Sequence, residues 1–225
     1  MTEETTSAVR GQRVVRFRQW ALSTYIGEDG EIASSRIEPE WRETVFRDDG
    51  GIRSRALVAE PFDGDGSEGA AEPGTVIFDE TLEPGASAIR DFFVYPDPPT
   101  DPAEVGGYLA GTMGAESEPT LGQYFAETGG LLANRVISAE QEAALLAFLS
   151  EQPGLRVDGS TTDRLGRQGV VLRATDWRPG QYENILIVSP SDGAFLAAET
   201  IYIGHDRDDI ASPSVVEYTA WERAR

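Results

Sequence analysis

Alternating apolar and polar residues predict that most of this chain forms strands. Residues 14 to 26 have the pattern of one long strand, with Val15 and Phe17 in one phase and Trp20 in the other. The change of phase near Gln19 indicates either a bulge or a strand that is covered on both sides. Both alternatives bury part of each face.

Further strands follow in the first half of the chain. Residues 41 to 47 alternate and end at the turn sequence DDGG, which predicts a hairpin into a strand over 52 to 60. Shorter strands are expected at 76 to 78 and 88 to 95. The intervening residues 61 to 74 are rich in Gly and acid, which predicts an exposed loop.

The middle of the chain has helical patterns. We expect short helices over 103 to 110 and 119 to 127, with Asp101 as the N-cap of the first. The clearest helix begins after Ser138, because Gln141 three residues later completes a capping box. This helix stops at a Pro-Gly pair and leads back into strands.

The last third of the chain predicts a strand meander with two marked turns. Residues 163 to 166 and 189 to 193 combine a polar turn residue with a closing Gly. The strands expected around these turns are 170–174, 185–188, 195–203 and 215–221. The strand over 185 to 188 is apolar in both phases, so both its faces should be covered, one of them by protein or by a ligand.

This order of elements predicts an α+β fold with one curved antiparallel sheet, a half-barrel, wrapping a helical insert. We expect a flexible tail over 1–12 and one domain over 13–225, with strands over about 14–95, helices over about 102–152 and strands over about 155–222.

Composition narrows the classes of function. The net charge of −20 and pI near 4.3 would repel phosphate groups, so no nucleic-acid partner is expected. All 19 cationic side chains are Arg, and Cys is absent, which excludes disulfides and thiolate chemistry. No apolar run reaches the roughly 20 residues that span a bilayer, so we expect a soluble chain as given.

Several motifs have the spacing of known binding or catalytic sites, but the residues around them do not suit those sites. The G-x-G-x-x-G spacing from Gly64 to Gly69 is followed by Pro and flanked by acids that would repel phosphates. A calcium loop starting at Asp63 lacks the glutamate at its twelfth position. One histidine, His205, cannot build a multi-histidine zinc site, and no G-x-S-x-G motif marks a nucleophile. We therefore expect no catalytic residue, metal or cofactor. A catalytic pair of carboxylates is an alternative that the sequence leaves open.

Aromatic residues on or beside strands are the candidate ligand contacts, although such residues more often fill a core. Glu199 joins them because it shares a strand phase with Phe195, so that an inward-facing carboxylate would need an Arg partner or a raised pKa. The candidate ligand-binding residues are Trp20, Trp41, Phe92, Tyr95, Trp177 and Glu199.

Two blocks of sequence carry a family resemblance. VVRFRQWALSTYIGEDGEIASSRIEPEWRETVFRDDGGIRSR (14–55) resembles the start of the ectodomain in an uncharacterised actinobacterial family of membrane-anchored proteins. The helix after Ser138, then PGLRV and TDRLGRQGVVL, is similar to a later block of the same family. Those proteins resemble the lipoprotein-carrier (LolA-like) and RseB-like superfamily, whose fold is a half-barrel that shelters acyl chains.

The resemblance implies a non-enzymatic, extracytoplasmic binding or sensing domain, anchored at the cell surface by a transmembrane helix that this chain lacks. It implies an apolar or lipid-like ligand or a partner peptide, and a partner among envelope or sigma-factor regulatory proteins. The alternatives are a structural or protein-interaction domain with a closed core and, further off, a carboxylate-dependent hydrolase.

Overall fold

The computed structural model describes residues 13–28, 30–61, 71–87 and 95–222, and within them nine strands and three helices. The strands are β1 (Val14–Ile26), β2 (Ile32–Phe46), β3 (Ile52–Val58), β4 (Val76–Leu82), β5 (Arg156–Thr162), β6 (Gln168–Ala174), β7 (Tyr182–Val188), β8 (Phe195–Tyr202) and β9 (Ser214–Trp221). The helices are α1 (Pro102–Thr112), α2 (Leu121–Asn134) and α3 (Ala139–Ser150).

All nine strands form one antiparallel sheet in the order β4-β3-β2-β1-β9-β8-β7-β6-β5. The first and last strands are neighbours at its centre, where Phe17 pairs with Trp221. Among the described residues β4 and β5 end the sheet and do not pair with each other, so the sheet is open. The predicted α+β class, a curved antiparallel sheet around helices, is confirmed.

The helices pack on one face of the sheet, which we call the inner face. Phe17, Leu186 and Trp221 from the sheet join Phe125 and Leu145 from the helices in one buried cluster. Each helix begins at a side-chain cap. The capping box predicted after Ser138 is confirmed, because Ser138 Oγ accepts from the Gln141 amide and Gln141 Oε1 accepts from the Ser138 amide.

The opposite, outer face of the sheet has a core of its own. Trp20 and Tyr218 lie with their ring centroids 6.3 Å apart and are both buried. The β5–β6 turn covers them, since Leu165 packs on this cluster and the Arg164 guanidinium lies 5.4 Å from the Trp20 ring. Pairing of β1 with β2 runs without a shift past Gln19, so β1 has no bulge there and is covered on both sides.

The strand that is apolar in both phases, β7, is also covered on both faces. Leu186 and Val188 pack toward the helices, whereas Ile187 packs in the outer cluster with Leu196 and Ala197. Protein side chains cover Ile187, which is 2% exposed. The pattern of this strand therefore gives no support for a ligand.

Several predicted boundaries were wrong; β4, for example, runs to Leu82 rather than to residue 78. β2 begins at Ile32 rather than at residue 41, and it passes through Pro39, which a strand interior normally excludes. Pro39 O accepts from the Ala59 amide, so the missing N–H of Pro39 faces the place where β3 has ended its pairing. α2 runs seven residues past the predicted end because buried Leu131 and Leu132 hold its last turn, despite a Gly pair. Residues 88–94 of one predicted strand lie outside the described residues.

Candidate functional site

Polar side chains cross the inner face of the sheet on neighbouring strands. Asn184, Thr200 and Glu217 stand opposite one another on β7, β8 and β9. Asn184 Nδ2 donates to Thr200 Oγ1 at 3.3 Å, and Thr200 Oγ1 donates to Glu217 Oε2 at 3.4 Å. Gln19 and Thr219 form the next pair along the strands. A polar floor therefore lies under the helices.

A pocket of about 260 Å³, the inner pocket, lies between this floor and α2. α2 presents mainly small side chains to it. A Cβ on Gly129 would meet no atom within 4 Å, which makes this position open space. The lining residues are Gln19, Phe125, Ala126, Gly129, Gly130, Ala133, Asn184, Ile185, Ala198, Glu199, Thr200, Glu217 and Thr219.

A second pocket of about 370 Å³ lies at the ends of the strands, on the same inner face of the sheet. We call it the outer pocket, although it does not lie on the outer face. Aromatic and aliphatic side chains form most of its wall, and two arginines lie beside them. Its lining residues are Ala21, Leu22, Trp177, Arg178, Tyr182, Thr200, Arg207, Ile210, Val216 and Glu217. Thr200 and Glu217 line both pockets, so the two pockets lie side by side, and we call the pair the groove.

Polar contacts hold the floor beside the groove. Gln19 Nε2 donates to Glu40 Oε2 at 2.9 Å, and Arg42 Nε donates to the same oxygen at 2.7 Å. Hydrogen bonds from the Tyr25 hydroxyl and the Ser23 hydroxyl lower the pKa of Glu38 below its usual value, against the effect of desolvation. Glu38 and Glu40, the inner-face carboxylates of β2, thus both have side-chain hydrogen-bond partners.

Asp176 fixes the start of α2 over the groove. Its two carboxylate oxygens accept from the Leu121 and Gly122 amides, each at 2.8 Å, and so occupy donors that the first helical turn leaves free. A Cβ on Gly122 would lie 2.6 Å from Trp177 Cβ, so this close approach requires glycine. The β6–β7 loop and α2 therefore share one rigid contact.

A second contact fixes the other end of α2. The Tyr95 hydroxyl lies 2.5 Å from where a Cβ on Gly130 would stand, and Arg135 Nη1 donates to Tyr95 O at 2.7 Å. Burial, together with the nearby carboxylate of Glu127, raises the pKa of Tyr95. Tyr95 is therefore packed against the rim of the inner pocket as a neutral side chain.

The loop after β8 forms one side of the outer pocket. Arg207 Nε donates to Asp209 Oδ1 at 3.0 Å, and Ser35 Oγ donates to Asp209 Oδ2 at 2.5 Å. These bonds lower the pKa of Asp209 to about 2. Arg207 Nη2 also donates to Thr24 Oγ1 at 3.0 Å, which ties the loop to β1.

The structure distributes the sequence-predicted site residues over several places. Trp177 lines the outer pocket and Tyr95 packs at the rim of the inner pocket. Trp20 lies in the outer-face cluster, where it does not meet Trp177. The Trp41 indole donates to Glu222 Oε1 at 3.2 Å, away from the groove.

The two remaining candidates are Glu199, which the structure describes, and Phe92, which it does not. Glu199 lines the inner pocket, but its carboxylate accepts from Arg164 Nε at 3.3 Å, on the outer face. The Glu199 carboxylate therefore points to the outer face, where it is paired with Arg164. Phe92 lies outside the described residues.

Sequence reasoning missed the polar floor. Glu217 shares a strand phase with Trp221, the same kind of signal that singled out Glu199. Gly129 is half of a Gly pair within a helix, which is unfavourable for helix formation and can mark a required space. Asn184 and Thr200 gave no signal, because single polar residues on a strand are ordinary.

Two classes of feature are absent from the described part of the chain. No group of three or more His, Cys, Asp or Glu side chains there is placed to hold a metal ion. None of its helices is long and apolar enough to cross a bilayer.

The fold and the groove define an α+β domain with an open antiparallel sheet and two adjoining pockets on its inner face. No family model and no curated protein matches the chain. Among solved structures, it is similar to the MucA/MucB complex of Pseudomonas aeruginosa, at 14% identity and a TM-score of 0.33 over 97% of this chain and 53% of that one. This chain spans about half the length of that MucB chain.

Two further structures are similar over most of both chains. A domain from Vibrio parahaemolyticus, described as an outer membrane lipoprotein-sorting protein, is 9% identical with a TM-score of 0.24, over 100% of this chain and 88% of that one. A LolA superfamily protein of Nitrosomonas europaea is 8% identical with a TM-score of 0.18, over 97% and 88%. At these identities and TM-scores the likenesses carry no conclusion about ligand, partner or activity.

Proposed function

We propose that this chain is a non-enzymatic binding domain whose groove holds an extended ligand. The observation that carries the proposal is that the inner and outer pockets share Thr200 and Glu217 in their linings, which places the two pockets side by side along the inner face. The open position at Gly129 supports it, because a small residue there keeps the wall of α2 away from the floor.

The chemistry of the groove favours an extended segment of a partner protein. Its polar side chains Asn184, Thr200 and Glu217 lie on successive strands, so the backbone amide and carbonyl groups of an extended chain that crosses these strands can hydrogen-bond to them. A lipid-like chain is the second candidate, because Phe125, Ala133 and Ala198 give the inner pocket apolar walls. A bare acyl chain would desolvate Thr200 and the exposed Glu217 carboxylate without returning a hydrogen bond.

The proposed location and partner of the protein rest on the family resemblance in the sequence. We propose an extracytoplasmic domain, anchored in a longer native protein, that takes part in envelope signalling with a sigma-factor regulatory protein as partner. A hydrolase needs two carboxylates facing each other across a cleft. The described acids lining the inner pocket are Glu217 and Glu199, and the latter is paired with Arg164, which favours binding over hydrolysis.

Filling the groove tests the proposal. Gly129→Leu puts a side chain into the inner pocket, whereas Gly107→Leu makes the same change on α1, where a Cβ also meets nothing within 4 Å. Peptides selected from a displayed random library on the wild-type protein should lose binding to Gly129→Leu by at least about tenfold and keep it on Gly107→Leu.

The same variants separate the two ligand classes. Native mass spectrometry after incubation with a total lipid extract reports lipid binding directly. Lipid adducts that disappear in Gly129→Leu, with no selected peptide, would favour the lipid candidate. Equal binding of peptides and lipids to both variants would mean that the groove is not the binding site.

A further inference from the structure

Glu217 differs from Glu38 and Glu40, the two carboxylates of β2 on the inner face. Glu38 has Arg36 as a cationic partner, with Arg36 Nη2 at 2.6 Å, and Glu40 has Arg42 at 2.7 Å. Glu217 lies at the junction of the two pockets and, among the described residues, has Thr200 Oγ1 as its hydrogen-bond partner and no ion pair. The protein thus leaves one carboxylate without a counter-ion at the middle of its groove.

Two arginines share the outer pocket with Glu217, and each has another contact in the structure. Arg207 is bonded to Asp209 and to Thr24, and its guanidinium ties the loop after β8 to β1. Arg178 lies over the Trp177 ring, 5.9 Å from its centroid. Both arginines line the outer pocket, and neither makes an ion pair with Glu217.

The rest of the outer pocket suits a basic side chain. Trp177 and Tyr182 provide aromatic surface against which the methylene stem of Lys or the plane of Arg packs. The net charge of −20 attracts cationic partners to the whole surface and repels anionic ones. An anionic lipid head group would meet both that field and the Glu217 carboxylate.

We propose that Glu217, with Thr200 beside it, is the subsite for a Lys or Arg side chain of the extended partner segment. This inference rests on the proposed function of the groove and names the charge of its ligand. The ammonium or guanidinium group donates to the Glu217 carboxylate, while the stem of the side chain lies between Trp177 and Tyr182. Glu217 then sets specificity rather than the whole affinity.

Fluorescence anisotropy with labelled synthetic peptides tests the inference. The probes are a peptide of alternating Lys and Val and the same peptide with Gln or with Glu in place of Lys. The wild-type protein should bind the Lys peptide about tenfold more tightly than the Gln peptide and should bind the Glu peptide weakest. Glu217→Gln should remove most of the preference for Lys over Gln.

Glu80→Gln is the matched control, because it removes the same charge from an exposed position on β4. It should keep the preference, since the general field of the chain changes equally in both variants. Equal loss in Glu217→Gln and Glu80→Gln, no preference for Lys in the wild type, or tighter binding of the Glu peptide would each overturn the inference.

Failure of this inference and failure of the proposed function give different results. If Gly129→Leu weakens the binding of all three peptides while Glu217→Gln behaves like Glu80→Gln, the groove is the binding site but Glu217 is not a subsite for a basic side chain. If Gly129→Leu and Gly107→Leu bind every peptide as the wild type does, the groove is not the binding site. The subsite at Glu217 is then wrong as well. Circular dichroism of each variant verifies that the fold is retained.

Discussion

The Arg167 guanidinium closes the β5–β6 turn onto the sheet through Asp163. Arg167 Nε donates to Asp163 Oδ2 at 2.8 Å, and its Nη1 and Nη2 donate to Trp221 O and Leu196 O. Asp163 is fully buried at its side chain and also accepts from the Leu165 and Arg167 amides. One buried carboxylate thus holds together a turn and two central strands.

Asp163→Asn should lower the free energy of unfolding by about 3 kcal/mol, because it leaves the mostly buried Arg167 without its counter-charge. Urea unfolding of the variant measures this loss. The control is Glu83→Gln, which removes an exposed carboxylate 3.7 Å from Arg47 and should change stability by less than about 0.5 kcal/mol. Similar small losses in both variants would mean that Asp163 is not central to the turn.

Gly130 and Gly129 should respond oppositely to alanine. Gly129→Ala should stabilise the protein by about 0.5 to 1 kcal/mol, because Ala favours the helix and its Cβ meets open space. Gly130→Ala should be less stable than Gly129→Ala by about 1 kcal/mol or more, since its Cβ would lie 2.5 Å from the Tyr95 hydroxyl oxygen. Thermal and urea unfolding compare the two.

Removing the Tyr95 hydroxyl should reverse the penalty at Gly130. In a Tyr95→Phe background the nearest remaining ring atom, Cζ, is 3.6 Å from the added Cβ, which is an ordinary contact. Gly130→Ala should then stabilise by about the amount expected from helix propensity. A penalty that persists in this background would show that Tyr95 is not its cause.

Acid should release the loop after β8. Asp209 has its pKa lowered from 3.8 to about 2 in the folded chain by hydrogen bonds from Arg207 and Ser35. A lowered pKa stabilises the folded state above the unfolded value and loses that effect as the pH falls through the folded value. The stabilisation is therefore present above about pH 4 and disappears between about pH 4 and pH 2.

Asp209→Asn tests this dependence. The urea midpoint of the variant should lie below that of the wild type at neutral pH, and the two should converge as the pH falls toward 2. Asp208→Asn, next to it in the same loop, removes a charge that has no ion pair among the described residues and should leave the midpoint almost unchanged. A difference between wild type and Asp209→Asn that is constant over pH would contradict the assignment.

Asp176 should control the order of the α2 start. Asp176→Ala should raise hydrogen exchange at the Leu121 and Gly122 amides and lower the free energy of unfolding by about 1 to 2 kcal/mol, because two charge-assisted hydrogen bonds are lost. Asp101→Ala is the matched cap variant on α1 and should raise exchange at Ala103 only. Thr120 and Gln123 also form a capping box at this helix start, and unchanged exchange in α2 would mean that this box orders it without Asp176.

Local signals in the sequence were sufficient for most of the fold. The capping box at Ser138 and the turn at Asp163 depend on short-range hydrogen bonds between neighbours in the chain, so they are readable without a structure. The extent of β2 was not readable, because Pro39 is tolerated only through the place where β3 stops pairing. That is a property of the sheet rather than of the local sequence.

The groove was much less predictable. Aromatic residues were the natural candidates, yet Trp20 and Trp41 lie away from the groove, because strand phase and not residue type decides the face. The floor residues Asn184, Thr200 and Glu217 become a group only through cross-strand pairing of β7, β8 and β9. Such pairing has no counterpart in a one-dimensional pattern.

The pairing of β1 with β9 has a consequence for how the chain folds. The two central strands of the sheet are separated by almost the full sequence, with Phe17 opposite Trp221. During synthesis β1 is made long before β9, so the edge of β1 that pairs with β9 stays open until then. The edge of β8 that pairs with β9 is open for the same reason. Contacts of such long sequence separation form slowly, and exposed strand edges invite pairing with other chains, so folding of this domain should be slow and sensitive to chaperones.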